Sequence, residues 1–334
     1  MTMLSEKVAL EYQTVRQGVG WYRLDSEATF ELSGKDGVSF LHGMVSNDIK
    51  SLKEGSGCYA ACLTPTGKVL SDLRVCSLPD RLLILLPNKE KRKILEHLDK
   101  FIFMEEVVVK DLEGKTDILS VQGPLSPKLM ADVADDPLPF SLYHHRDVQA
   151  KGIASQIIRA THTGEEGFDV LVPLVEFSRF CTLLEERGRP YGLREIGEEA
   201  REVLRIEAAI PRYGMEMDES TILLEAGLEE AVSFTKGCYT GQEVIAKIKN
   251  IGHVNRLLAG LTFPVPAAGG NKIFHNDQEA GYVTSSCYSP AMQSDVALAM
   301  VRREVAKPKT PLTIKPPEGI QPATVVPLPF YVRK

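Results

Sequence analysis

One cysteine stands where the sequence could make a reactive thiol. Cys238 lies in KGCYTGQEVIAKIKN, a stretch that starts at Lys236 and runs into a predicted helix. Thr240 and Glu243 have the spacing of a capping box, which predicts a helix start here. Unpaired backbone N–H groups at a helix start and the nearby lysine cation both favour a thiolate, so Cys238 is a candidate nucleophile. The alternative is a small packing residue, the usual role of a free cysteine.

A glutamate on an apolar helix stripe is the second candidate. The segment EIGEEAREVLRIEAAI predicts a helix with an apolar stripe formed by Ile196, Ala200, Val203 and Leu204. At about 100° per residue Glu207 falls on that stripe, whereas Arg205 lies opposite Ile196. Burying a carboxylate is costly unless the group is paired or hydrogen-bonded. We therefore expect either a structural salt bridge or a ligand with hydrogen-bond donors at Glu207.

The composition is typical of a soluble globular protein. The chain has 334 residues, of which 43% are hydrophobic and 25% charged, enough for two or three domains. It contains no apolar run of the length that a membrane span needs, and the N-terminal segment lacks the apolar stretch of a signal peptide. A cytoplasmic protein without membrane association is expected, and a monomer.

Charge and cysteine usage exclude several kinds of partner. The net charge of −6 argues against a broad nucleic-acid surface, although residues 251–334 are basic, and direct nucleic-acid binding is not expected. The six cysteines form no C-x-x-C pair, so neither a disulfide framework nor a zinc site is indicated. An iron–sulfur cluster could be imagined on three of the cysteines, Cys58, Cys62 and Cys76. They lie in apolar segments typical of strands, where cysteine is an ordinary packing residue. No bound metal is predicted.

The elements that must position these residues alternate between strands and helices. Two strand–helix sets indicate α+β units with antiparallel sheets, and no G-x-G-x-x-G follows a strand, so a nicotinamide enzyme is not expected. Short strands separated by turns after Ile251 predict a small antiparallel β-barrel. We predict an α+β region over residues 1–250, with a second subdomain at about 116–190, and a barrel domain over 251–334.

Several motifs, taken in order, resemble one family. FELSGKDGVSFLHGMVSNDI, VLSDLRV, VQGPLS, TGEEGFDVLVP, LRIEAAIPRYGMEMDE, LLEAGL and KGCYTGQE are similar to the folate-binding aminomethyltransferase superfamily, which includes the glycine-cleavage T-protein. The resemblance runs from Ser26 to Val305. KGCYTGQE resembles the YgfZ-type branch, folate-binding proteins of iron–sulfur cluster maintenance. The resemblance implies two interlocked α+β domains, partly ferredoxin-like, around a central folate channel, plus a C-terminal barrel.

The resemblance also implies roles for particular residues. Glu207, in LRIEA, matches the glutamate that holds the pterin ring of tetrahydrofolate or a one-carbon derivative, and a carboxylate can accept both neighbouring donors of a pterin edge. The positions that match the folate channel are Lys236, Tyr239, Asn47 and Tyr59. For Lys236 and Tyr239 the alternatives are a solvated lysine and a core-edge tyrosine, and for Asn47 a turn that shapes the channel.

One departure from the T-protein pattern bears on function. T-proteins have paired aspartates in the segment that matches VLSDLRV, one of which assists transfer to folate, and here Ser71 and Asp72 occupy the pair, so Asp72 alone is left as a folate-site candidate. With one acid missing and Cys238 gained, the resemblance favours a tetrahydrofolate-binding protein that supports iron–sulfur assembly or repair in client enzymes, including tRNA-modifying ones. Thiol or one-carbon chemistry at Cys238 stays open. The alternatives are an aminomethyltransferase of the glycine-cleavage type and a non-catalytic folate-responsive adaptor.

Overall fold

The strands in the described part of the chain form three sheets, the last of which closes into a barrel. The structure is a computed structural model, and it describes residues 4–138, 141–264, 267–315 and 319–333. Within these ranges no helix is long and apolar enough to cross a membrane.

The first sheet has five antiparallel strands. The chain begins with helix α1 (Glu6–Gln17) and strand β1 (Gly20–Arg23), which joins the second sheet. The first sheet and its helices are then β2 (Glu27–Ser33), α2 (Gly37–Met44), β3 (Gly57–Leu63), β4 (Val69–Ser77), β5 (Arg81–Pro87), α3 (Lys91–Asp99) and β6 (Val108–Asp111). The strand order is β3-β4-β5-β2-β6.

The second sheet has six strands and includes β1. Its further elements are β7 (Thr116–Gln122), α4 (Ser126–Ala134), β8 (His145–Ala150), β9 (Ile153–Arg159), β10 (Gly167–Pro173), α5 (Phe177–Gly188), β11 (Arg194–Glu195) and α6 (Glu198–Glu207). The order is β11-β1-β7-β10-β9-β8, with only β1 and β11 parallel. Because the chain starts in this sheet, builds the first sheet and then returns, the two α+β units are interlocked.

The barrel follows helix α7 (Gln242–Ile251). Its strands are β12 (Arg256–Phe263), β13 (Lys272–His275), β14 (Gln278–Ser289), β15 (Ser294–Arg302), β16 (Pro311–Lys315) and β17 (Gln321–Val326). They close in the order β12-β15-β14-β13-β16-β17. The predicted α+β class with a C-terminal antiparallel barrel is confirmed. The limits 1–250 and 251–334, and the subdomain at 116–190, stay predictions; β1 and β11 lie outside that last range although they belong to the second sheet.

The two open sheets share an apolar core. Strand β4 contributes Cys76 and β5 contributes Leu83, and these pack with Ile158 and Leu171 of the second sheet. Burial of such side chains stabilises the fold by about 1.5–3 kcal/mol each. The shared core holds the facing surfaces of the two sheets in contact, and polar residues beside it are therefore enclosed between them.

Helix α6 differs from its predicted wheel at one position. The apolar stripe is buried as expected, and Glu207 is fully buried with it. Arg205, which the wheel places opposite Ile196, is also buried, because its guanidinium donates to Glu216 at 2.9 Å and to the Ser285 hydroxyl of the barrel at 2.8 Å. The barrel covers the face of α6 that the sequence pattern leaves polar.

Candidate active site

Strand alternation directs two charged residues of β4 into the interface between the open sheets. Asp72, Arg74 and Cys76 are two residues apart, and residues at this spacing share one face of a strand. Cys76 packs in the apolar core shared by both sheets. Asp72 and Arg74 therefore point towards the second sheet.

The carboxyl group of Asp72 has one partner and one free oxygen. The Tyr59 hydroxyl on β3 donates to Asp72 Oδ2 at 2.7 Å, whereas Oδ1 is buried without a hydrogen-bond partner among the described residues. Burial raises the pKa of Asp72 to about 6, although the Tyr59 hydrogen bond opposes the shift. The ring of Tyr143 stacks on Tyr59 with centroids 6.0 Å apart. The result is an acid that can gain and lose a proton near neutral pH, beside a flat aromatic pair.

Arg74 connects the first sheet to a buried aspartate of the second. Its guanidinium donates to Asp169 of β10 and, at 2.7 Å, to Glu27. Asp169 is fully buried and also contacts His162 Nε2 at 3.0 Å. Burial alone would raise the pKa of Asp169, but His162 and Arg74 together hold it well below the usual range.

These residues form one polar group between the sheets. We call it the inter-sheet site, and its members are Tyr59, Asp72, Arg74, Tyr143, His162 and Asp169. Of the residues predicted from sequence, the structure brings Tyr59 and Asp72 together here.

Ser71 takes no part in the inter-sheet site. It is adjacent to Asp72 in β4, so its side chain points to the opposite face, where it is fully buried and donates to the Asp72 carbonyl oxygen at 2.9 Å. The expectation that this serine costs the site an acid is therefore wrong. A carboxylate at position 71 would face away from Asp72.

Glu207 lies in a second buried polar group, which we call the barrel clamp. Tyr12 and Arg16 of α1 donate to its Oε2, each at 2.7 Å, and the Ser289 hydroxyl and the Ala291 backbone N–H donate to Oε1. Each of the two carboxylate oxygens thus accepts two hydrogen bonds. The structural salt bridge, one of the two roles expected for this residue, is present.

Two of the predicted channel residues donate hydrogen bonds to backbone carbonyl groups. The Lys236 ammonium is buried and donates to the carbonyl oxygens of His42, of Val45 at 2.7 Å and of Asn47 at 2.9 Å, so its three N–H groups are used. Burial lowers the pKa of Lys236 to about 8. The Asn47 amide donates to the carbonyl oxygens of Tyr59 and Glu230. Lys236 is therefore not a solvated lysine, and Asn47 shapes the turn, whereas a folate contact by either residue stays a prediction.

Tyr239 and Cys238 are not members of the inter-sheet site, although Tyr59 packs against the apolar cluster that contains Tyr239. Tyr239 is buried in the cluster of Leu63, Val69 and Ile245, consistent with a core-edge tyrosine. Cys238 is exposed and lies four residues before the first residue of α7. Its function as a thiol stays a prediction.

The predicted capping box at α7 is wrong. Helix α7 begins at Gln242, and Gly241 precedes it with φ of 85° and no side-chain cap. A Cβ at Gly241 would lie 2.7 Å from the Thr64 carbonyl oxygen. The close approach of the β3–β4 hairpin therefore decides the helix start, and glycine is required there.

Four residues of the inter-sheet site were missed from sequence. They are Arg74, Tyr143, His162 and Asp169. The available signal was a lone charge within an apolar strand, Asp169 in FDVLV and Arg74 in DLRVC, because a buried charge needs a partner. No comparable signal marks Tyr143.

Comparison with known proteins gives two family matches that together span most of the chain. Residues 2–236 match the GCVT N-terminal domain, and residues 256–331 match the glycine cleavage T-protein C-terminal barrel domain. An aminomethyltransferase of Nostoc sp. is 32% identical over 97% of this chain and 88% of its own length. One of Rippkaea orientalis is 31% identical over 99% of this chain and 91% of its own length.

A solved structure has the same fold. The crystal structure of glycine cleavage system aminomethyltransferase T from Bartonella henselae gives a TM-score of 0.87 at 24% identity, covering 97% of this chain and 89% of that chain. These findings overturn the predicted main function in iron–sulfur assembly, because the relatives that match nearly the whole chain are named aminomethyltransferase. They favour the transferase alternative. The YgfZ-type resemblance of KGCYTGQE is not confirmed.

Proposed function

The chain belongs to the glycine cleavage T-protein family, and from that premise we propose that it is a folate-dependent aminomethyltransferase. Tetrahydrofolate is the substrate that this family uses. The donor would be an aminomethyl group on a lipoyl carrier protein, and the products would be methylene-tetrahydrofolate, ammonia and the reduced carrier.

The observation that carries the proposal is the buried Oδ1 of Asp72, which has no hydrogen-bond partner among the described residues. A polar atom enclosed without a partner costs about 1–3 kcal/mol, and a ligand that supplies a donor removes that cost. A ring N–H of tetrahydrofolate is such a donor. With a pKa of about 6, Asp72 can accept that proton and release it again near neutral pH.

The neighbours of Asp72 support binding of a flat ring. The stacked pair of Tyr59 and Tyr143 presents aromatic surface beside the carboxyl group, which suits a pterin. The Tyr59 hydroxyl orients the carboxyl through Oδ2 and leaves Oδ1 for the substrate. Tyr59 would position Asp72, and Asp72 would handle the proton.

Glu207 remains a proposed pterin ligand under one condition. Its two oxygens already hold four protein donors, so a pterin would have to displace Tyr12 and Arg16 from Oε2. The assignment to the YgfZ-type branch also remains a proposal, and it is supported by KGCYTGQE alone.

The test is transfer by the purified protein. Incubation with aminomethylated lipoyl carrier and tetrahydrofolate should release ammonia and form methylene-tetrahydrofolate in equal amounts. Asp72→Asn should lower kcat about 1,000-fold while tetrahydrofolate still binds, because loss of a general acid–base costs about 10²–10⁴ in rate. Ser71→Ala, which alters the neighbouring side chain on the opposite face, is the matched control. No ammonia above background from the wild type would refute the proposal.

A further inference from the structure

His162 is held in one orientation beside the inter-sheet site. It lies between β9 and β10, and its Nε2 contacts both oxygens of the fully buried Asp169, at 3.0 and 3.1 Å. Its backbone N–H donates to Gln122 Oε1, and the edge of its ring meets Tyr22, with centroids 6.5 Å apart. A carboxylate on one ring nitrogen fixes the tautomer and leaves the other nitrogen free to exchange a proton.

The second ring nitrogen of His162 is available. Within the described residues no hydrogen bond reaches Nδ1, and 23% of the side chain is exposed although its partner Asp169 has none. Asp169 is joined through Arg74 to the face of β4 that carries Asp72. Arg74 and Asp72 are two residues apart along that strand, roughly 7 Å. His162 is therefore joined through Asp169 and Arg74 to the strand face that carries Asp72, and of these groups the imidazole is partly exposed whereas Asp72 Oδ1 is enclosed.

The proposed reaction moves two protons. The carbon–sulfur bond of the carrier breaks and the sulfur keeps the electron pair, while a bond forms between that carbon and N5 of tetrahydrofolate. The carbon–nitrogen bond of the amine then breaks, ammonia leaves with the electron pair, and N10 closes the ring. The protons lost by N5 and N10 balance those gained by the carrier sulfur and the leaving amine, so no oxidant is needed. A single carboxyl group can hold only one of them at a time.

We infer that His162, oriented by Asp169, is the second proton-transfer group of this site and works together with Asp72. The inference rests on the proposed function. Asp169 is a positioning residue, because it acts through the imidazole and is itself enclosed.

The charge environment of His162 comes from several elements. The titratable or charged groups around it are Asp169 on β10, Arg74 on β4, Tyr22 on β1, Arg201 on α6 over the Tyr22 ring, and Glu165 with Arg16 beside its loop. Asp169 contacts the His162 ring and accepts a hydrogen bond from Arg74, so the two groups share one carboxylate.

The test separates proton transfer from structure. His162→Gln retains a side-chain N–H that can donate to Asp169 but cannot exchange a proton near neutral pH. We expect kcat to fall about 100-fold, the KM for tetrahydrofolate to change less than threefold, and one limb of the pH profile of kcat to disappear. His253→Gln, at an exposed histidine, is the matched control.

A second readout does not depend on turnover. The imidazole proton resonance that is missing from His162→Gln should shift in the wild-type spectrum when tetrahydrofolate is added. If wild-type turnover is normal and His162→Gln keeps both its kcat and its pH profile, the inference is wrong and the proposed function stands. An unmoved resonance with bound tetrahydrofolate would also overturn it. Absence of wild-type transfer would overturn both.

Discussion

Asp72 and Glu207 are two enclosed carboxylates with opposite hydrogen-bonding states. Glu207, in the barrel clamp, receives two donors on each oxygen. Asp72, in the inter-sheet site, receives one donor on Oδ2 and, from the part of the chain that the structure describes, none on Oδ1. The first arrangement stabilises contact between α1, α6 and the barrel. The second arrangement leaves a carboxylate oxygen without a hydrogen bond, and a bound ligand that supplies a donor would lower the free energy of the site.

The difference teaches where to look for chemistry among buried charges. Natural proteins satisfy nearly all of their buried polar atoms, so a saturated carboxylate is ordinary and an unsatisfied one needs an explanation. The family resemblance singled out Glu207 as the main folate ligand, whereas the hydrogen bonds single out Asp72. Each of the following changes would break or sharpen this contrast.

The largest expected effect is on the clamp. Glu207→Gln places an amide donor or a neutral oxygen against Arg16 and Tyr12, and breaking a buried pair costs about 3–5 kcal/mol. We expect the free energy of unfolding to fall by about 4 kcal/mol in urea titrations. Tetrahydrofolate affinity, measured by calorimetry, should fall at least about tenfold if the carboxylate also meets the pterin. A variant with unchanged stability and unchanged tetrahydrofolate affinity would show that Glu207 is neither a structural ion-pair partner nor a pterin ligand.

The next effect is a pH-dependent stability at Asp72. The fold raises the pKa of this group from its ordinary 3.8 to about 6, so it favours the protonated form. The stability contributed is fully present below 3.8 and is lost as the pH rises through 6. Asp72→Asn should therefore be more stable than wild type at pH 7.5, by up to about 3 kcal/mol, and by less at pH 5. An equal difference at both pH values would contradict the assigned burial.

A smaller effect is expected at Tyr59. Its hydroxyl favours the ionised form of Asp72, so Tyr59→Phe should raise the pKa of Asp72 further. We expect kcat/KM near neutral pH to fall about tenfold, with the acid limb of the profile displaced upward. Tyr143→Phe keeps the stacked ring and should move that limb less. If the acid limb does not move in Tyr59→Phe, Asp72 is not the group whose titration the pH profile reports.

The smallest effect is expected at Cys238. The thiol is exposed and belongs to neither buried group, so Cys238→Ser should leave ammonia release and tetrahydrofolate affinity within about twofold of wild type. Alkylation by iodoacetamide should be equally harmless. A loss of transfer in either experiment would return the thiol to the mechanism.

The sequence predicted architecture better than contacts. Alternating strand and helix patterns, with short strands after Ile251, depend on local periodicity and were confirmed by the α+β fold and the barrel. The burial of Glu207 followed from helix geometry in the same way. These properties are encoded within one element.

Partnerships between distant elements were not predictable. The donors to Glu207 come from α1 and from the barrel, and the start of α7 is decided by a hairpin that approaches Gly241. From the sequence, Ser71 and Asp72 were interpreted as an acidic pair that has lost one acid. Strand alternation instead places their side chains on opposite faces of β4. The period-two rule was available from the sequence and would have prevented that error.

The barrel clamp also sets a time order for assembly. Glu207 joins α1 to residues near the end of the chain, because the Tyr331 backbone N–H donates to its carbonyl oxygen and the Tyr331 ring covers Arg16. During synthesis at about 5–20 residues per second, Arg16 emerges roughly 15 s to one minute before Tyr331. Helix α1 therefore lacks its contact with Tyr331 during that time. Completion of the N-terminal region therefore comes late in synthesis, and nascent chains stalled before the barrel would expose α1 to chaperones and proteases.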